Sequence, residues 1–259
     1  NNVSYRSYGE FVADDFGTKP RLESLKDHAA VFAPYGLKTM DTIRFHQWKH
    51  DFDSLVSLNS VPRFSTIRLG NDHTEGMRAD RPTPYAHVAD NDLAVGMLID
   101  HLSKSPVWKE SVVFILEDDA QNGPDHVDAH RSTAYVVGPY VKRKYVDHTM
   151  YTTSGMLRTM ELILGLPPMT QFDAAATPMW RCFTNKPDFS PFNHLKSNIN
   201  LGEVNGGKTI AAKLSEKFDW STEDRVPDLI LNEILWQGLK GKPAPFPVRA
   251  AFIRPTAED

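Results

Sequence analysis

Five consecutive apolar residues, Val112-Val113-Phe114-Ile115-Leu116, run directly into three acidic ones, Glu117-Asp118-Asp119. A half-exposed strand alternates polar and apolar positions, so an unbroken run of this length reads as a strand buried on both faces. Its acidic end then falls at the carboxyl edge of a sheet, the place where open α/β sheets bind ligands. Strand-like and helix-like segments alternate along the rest of the chain. This alternation predicts the α/β class with a mostly parallel sheet.

Residues 3–8 and 64–69 are rich in β-branched and aromatic side chains and read as strands. Residues 134–137 form another strand candidate, stopped by Gly138-Pro139. Between them, Asp41 is placed to cap a helix carrying Phe45, Trp48, Phe52 and Leu55 at steps of three and four. Thr83 and Pro84 open a second helix, whose expected apolar face holds Val88, Val95, Leu98 and Leu102. A third spans residues 154–164 and is closed by Gly165 and Pro167-Pro168. Beyond residue 183 Asn, Lys, Pro and Gly become frequent, and two helical patterns follow at 210–218 and 223–236. The expected division is an α/β domain over 1–183 and an extension over 184–259 that packs on it.

The chain has 259 residues, 41% of them apolar, and a formal charge of −4. That composition supports a sizeable core. It has no basic excess to suggest a nucleic-acid partner, and Lys142-Arg143-Lys144 reads as a solvated loop. No apolar run reaches the roughly 18 residues a membrane span needs. Cys182, the single cysteine, sits in the apolar setting Trp180-Arg181-Cys182-Phe183 and reads as a buried spectator.

Chemistry concentrates in residues 117–130, which hold one Glu, four Asp and two His. Adjacent carboxylates repel unless a cation neutralises them, and Asp oxygen with His nitrogen is an ordinary donor mix for Zn, Mn or Fe. The competing reading is a solvated acidic turn, since Asp, Asn, Gly and Pro all form turns. A second cluster, Asn71-Asp72-His73, also follows a strand directly. Two parallel strands would bring both clusters to one sheet edge and make a composite site, of the kind that clamps the attacking and leaving oxygens of an in-line displacement. Arg131 suits bidentate phosphate contact or a surface ion pair equally well. His46 and His50 lie one helical turn apart without an evident carboxylate partner and read as surface or packing residues. Asn205-Gly206-Gly207-Lys208-Thr209 lacks the spacing of a phosphate loop and reads as a turn before a helix.

Asp118-Asp119, five residues, then Asp125-His126-Val127 resembles the signature of the phospholipase C and acid phosphatase group of phosphoesterases, within the alkaline phosphatase superfamily. The longer pattern, from Asn71-Asp72-His73-Thr74 through residues 117–132 to Gly165-Leu166-Pro167-Pro168-Met169, is similar to bacterial phosphoesterase domains often fused behind a YVTN-type β-propeller. The resemblance implies a three-layer α/β/α sandwich and a hydrolase of phosphomonoesters or phosphodiesters. It implies divalent metal ions (Zn, Mn, Ca or Fe) held by Asp72, His73, Asp118 and Asp119. His126, His130 and Arg131 become the catalytic candidates, as ligands or phosphate contacts. The family's Ser or Thr nucleophile and its first metal ligands correspond to sequence upstream of residue 3, so the sandwich is expected to lack its N-terminal part here. Thr74 and Ser132 read as loop hydrogen bonders rather than replacements. Such proteins are commonly exported, which points to a periplasmic or extracellular location. The rival expectations are a sulfatase or phosphotransferase of the same superfamily, and a non-catalytic binding module on the same scaffold.

Overall fold

A computed structural model describes residues 2–12, 19–118, 131–221 and 225–243. It is a mixed α/β fold. Strand β1 (Tyr5–Tyr8) pairs in parallel with β2 (Phe64–Ile67), and β3 (Val113–Leu116) pairs antiparallel with β4 (Ala134–Val137). The segment around Ala29 adds a parallel bridge to Ser7 on the other side of β1. Six α-helices are among the described residues: α1 (Asp41–Ser57), α2 (Pro84–Ser103), α3 (Thr153–Leu164), α4 (Gln171–Ala175), α5 (Ile210–Ser215) and α6 (Asp228–Lys240).

The main core lies between α1, α2 and the strands. Phe45, Trp48 and Phe52 of α1 meet Leu98 and Leu102 of α2, with Ile67, Ile115 and Val137 packed against them from β2, β3 and β4. A smaller cluster of Met156, Met179 and Cys182 takes Phe114 and Val136. Successive side chains of a strand point to opposite faces, so β3 and β4 send alternate residues to α1–α2 on one side and to α3 on the other. Helices therefore flank both faces of this strand pair. Its burial is less than the apolar run suggests: Val113, Phe114 and Ile115 are half-buried and Leu116 is 36% exposed. The reason is that β3 has one strand partner among the described residues, and its last residue opens onto the acidic turn.

The start of α1 differs from expectation in an informative way. Met40, in extended backbone, is the N-cap of α1, and Asp41 is its first helical residue, fully buried. The cap comes from α2 instead. Asp90 Oδ2 accepts the Asp41 amide at 2.5 Å, and its Oδ1 accepts the Thr42 hydroxyl at 2.7 Å. Helix α2 is capped as expected, Thr83 Oγ1 accepting from the Ala86 amide at 3.2 Å with Pro84 in the first turn. Its buried face starts with Ala86, His87 and Asp90, whereas Val88 is 48% exposed. Apolar periodicity misplaces the face because its N-terminal end is polar. Gly165 closes α3 in the left-handed conformation at φ 70°. Asp228–Lys240 starts later and ends later than the pattern at 223–236 suggests.

Residues after 200 grip the loop that follows β2. Asn205 Nδ2 reaches the carbonyls of Gly76, Arg78 and Pro82 at 3.3, 3.1 and 3.1 Å. Ser215 Oγ accepts the Met77 amide at 3.0 Å, and Glu216 accepts the Ala79 amide at 3.0 Å.

Arg44 is 1% exposed. It donates to Asp41 Oδ1 at 2.8 Å and to the carbonyls of Ala33, Pro34, Gly36 and Thr39. Replacing it with an apolar side chain strands a buried carboxylate, which costs about 3–5 kcal/mol. Arg44→Met is expected to lower the urea midpoint by that equivalent, and an unchanged midpoint would contradict the pairing.

Candidate functional site

Three segments bring carboxylates together. The first is Asp41, whose buried side chain accepts from Asn71 N at 2.9 Å, Gly70 N at 3.2 Å and Asn91 Nδ2 at 3.0 Å, besides Arg44. The second is the single 3-10 turn Asn71–His73, directly after β2. The third is the end of β3, at Glu117 and Asp118. Asn91 Nδ2 also donates to Asp72 Oδ1 at 3.2 Å, so one amide ties Asp41 to Asp72.

Asp72 carries the electrostatic signature of this crowding. Burial is the largest influence and pushes its carboxyl pKa up; a hydrogen bond with Glu117 pulls it down, and the charges of Asp41 and Asp118 push it up again, leaving a net rise. Groups that act on one another in this way are near neighbours, so the turn after β2 lies close to the acidic end of β3, although among the described residues β2 and β3 belong to two separate sheets rather than to one sheet edge. Glu117 and Asp118 are both exposed.

His73 is half-buried, its ring edge-on to Tyr35 and Trp220 at 5.8 and 6.4 Å. Its Nδ1 lies 3.1 Å from the Thr74 carbonyl, which can only accept, so Nδ1 is the donor of this contact and Nε2 is left outside it. Thr74 has φ 62° and ψ 167°, a region almost reserved for glycine. Such strain costs on the order of 1–3 kcal/mol. It is held by the Thr74 amide bonding to the Asn71 carbonyl at 3.0 Å and by Thr74 Oγ1 accepting the Gly76 amide at 3.1 Å.

Across the acidic segment, Glu117 N donates to Thr133 O at 3.0 Å and Ser132 Oγ donates to Glu117 O at 2.8 Å. Thr74 and Ser132 thus hydrogen-bond within their loops, as expected. Arg131 is exposed and sits at the start of this closing pair. Asp119, His126 and His130 lie outside the described residues. Among the described residues, no group of three or more His, Cys, Asp or Glu side chains is arranged to hold a metal ion. The donor chemistry nonetheless suits a hard or borderline cation, since Asp72, Glu117 and Asp118 offer oxygen and His73 offers an imidazole nitrogen. Asp41, Asn91 and Glu117 were not singled out by sequence. Asp41 mimics a cap, Asn91 sits within a helix, and Glu117 is one acid among five.

The model of the phosphoesterase family matches residues 1–167, well over half of the chain. The chain belongs to the phosphoesterase family. Both clusters and the strands that carry them fall inside the matched span, which ends in the turn after α3. For a phosphoesterase the implied reaction is hydrolysis of phosphoric esters. No curated protein matches the chain. No helix among its described residues is long and apolar enough to cross a membrane.

The raised carboxyl of Asp72 makes a stability prediction. In the unfolded chain an Asp ionises near its ordinary value of about 3.9. The fold penalises the ionised form, so stability present at low pH is lost as pH rises between the unfolded and folded values. Asp72→Asn is therefore expected to raise the thermal midpoint of the metal-free protein at pH 7.5, with the gain vanishing near pH 3. A variant less stable at pH 7.5 would contradict the crowding.

Proposed function

We propose that this chain carries a divalent-metal-dependent phosphoesterase site, with Asp72, His73, Asp118 and Asp119 as the metal-binding groups. The observation that supports this most directly is the setting of Asp72, in the turn after β2, tied to Asp41 through Asn91 and close enough to Glu117 and Asp118 for both to act on its carboxyl. Burial and neighbouring acids penalise the ionised form of Asp72, and a bound positive charge would relieve that penalty. Bound divalent cations would supply charge neutralisation for in-line displacement at phosphorus.

The chain's own residues divide the remaining tasks. Asn91 and the 70–71 amides orient Asp72 through Asp41, which limits how far the carboxylate can turn. With Nδ1 of His73 engaged by the Thr74 carbonyl, Nε2 is the ring nitrogen that would face a cation. Arg131, exposed beside the acidic segment, suits two parallel N–H contacts to a phosphate. His126 and His130 complete the proposed set as phosphate contacts or further ligands.

The test is cleavage of a chromogenic phosphate monoester and diester by the full-length protein, with and without Mn2+ or Zn2+, alongside a sulfate ester. Metal-stimulated cleavage of a phosphate ester is expected. Asp118→Ala should lower it by about 10²-fold, in line with loss of one preorganised charge-stabilising group. Unchanged activity in that variant would remove Asp118 from the site, and faster cleavage of the sulfate ester would replace the phosphoesterase reading with a sulfatase one.

A further inference from the structure

At three places apolar side chains stand in water while the acid beside them is turned inward. On α3, Glu161 is 3% exposed, whereas Leu162 and Ile163 are 51% and 48% exposed. On α4, Asp173 is buried in the capping box with Thr170, whereas Phe172 is 71% exposed. In the loop after β4, Asp147 accepts from the Thr149 amide and the Tyr151 hydroxyl, both at 3.0 Å, whereas Val146 is 72% exposed. Surfaces that face only water arrange acids and apolar groups the other way round.

These three are the only acidic residues of the span 140–187, which also holds six Lys and Arg in a chain of net charge −4. Arg158 pairs with Glu161 and Arg143 with Asp188, both at 3.1 Å. Lys142, Lys144, Arg181 and Lys186 remain exposed, so the outward charge of the span is positive. Two of these cations lie over exposed rings: Lys142 Nζ is 4.7 Å from the centre of Tyr145, and Arg181 Cζ is 5.3 Å from the centre of Trp180. The two pairs are neighbours, because the Lys142 amide donates to the Cys182 carbonyl at 2.8 Å. The elements concerned share one end of the fold. Helix α3 packs on α4, the Met179 amide donates to Thr159 Oγ1 of α3 at 2.8 Å, and Tyr151 packs on Met156, Met179 and Cys182.

Apolar side chains that project from a surface bearing cations and inward-turned acids match the boundary of an anionic bilayer. The apolar groups enter the interface, aromatic rings sit at headgroup level and the cations approach lipid phosphates. The same face of a second copy would set like charges against each other. We propose that the face formed by Val146, Leu162, Phe172 and Trp180, with Lys142, Lys144 and Arg181, docks this chain on a membrane surface rich in anionic phospholipid. None of these residues is among those proposed for metal or phosphate-ester contact.

The probe is vesicles of equal parts phosphatidylserine and phosphatidylcholine, sedimented with the full-length protein in chelator. Chelator keeps the reading independent of ester cleavage and of the proposed metal site. The protein is expected to sediment with these vesicles, far less with pure phosphatidylcholine, and less as salt rises. Each cation near an anionic surface is worth about fivefold in affinity, so Lys144→Glu with Arg181→Glu should weaken binding by more than about tenfold. Lys144→Glu alone replaces the pair if circular dichroism finds the double variant unfolded. Phe172→Ser should weaken binding as well. Equal sedimentation with both vesicles, no sedimentation, or unchanged affinity in a folded charge-reversal variant overturns the proposal. So does a dimer dissolved by Phe172→Ser in place of vesicle binding, which would assign the face to a second copy.

Discussion

Four donors converge on the buried carboxylate of Asp41: the Arg44 guanidinium, the amides of Gly70 and Asn71, and the side chain of Asn91. Each comes from a different structural need. Arg44 organises the loop before α1, the two amides belong to the turn after β2, and Asn91 lies on α2. A buried charge is tolerated only when fully paired and hydrogen-bonded. Asp41 meets that condition only with all three elements in place. The turn carrying Asp72 and His73 is therefore fixed by the same interaction that joins α1 to α2, with Asp90 repeating the logic one step away by capping α1 and holding Asn71.

Against this satisfied network stands a deliberate imbalance at the strand ends. Asp72 is packed where burial and neighbouring acids raise its pKa, and Thr74 beside it occupies a glycine-like conformation. Both cost stability, and the structure tolerates them because the loop is held from outside by Asn205, Ser215 and Glu216. Perturbed carboxyl groups of this kind gather at functional sites more often than elsewhere. Membership of the phosphoesterase family gives that arrangement its chemical context, because phosphate esters are anionic substrates whose cleavage develops further charge.

Where local pattern dominates, sequence was a good guide. The alternation of strand and helix, the Thr83–Pro84 start, the Gly165 stop and the strand at 134–137 rest on propensity and turn chemistry, and the structure has them nearly in place. The pairing of β3 with β4 in antiparallel sense, the shift of α2's buried face toward His87 and Asp90, and the relocation of Asp41 from cap to buried hub depend on tertiary contacts. No periodicity encodes those. The Asn71-Asp72-His73 cluster was legible because it follows a strand. Asn91 was not, because an amide on a helix looks solvated until its partners are known. Asn205, read as a turn residue, is also the clasp that holds the loop after β2.

The central claim is that Asp72 and Asp118, 46 positions apart in sequence, act as one binding unit. A double-mutant cycle on Mn2+ affinity, measured by titration calorimetry with Asp72→Asn, Asp118→Asn and the pair, tests it directly. Residues sharing a ligand are expected to couple by about 0.5–3 kcal/mol, so the two single losses would not add. Losses that add within about 0.5 kcal/mol would mean the two strand ends bind independently, and the composite site would be wrong.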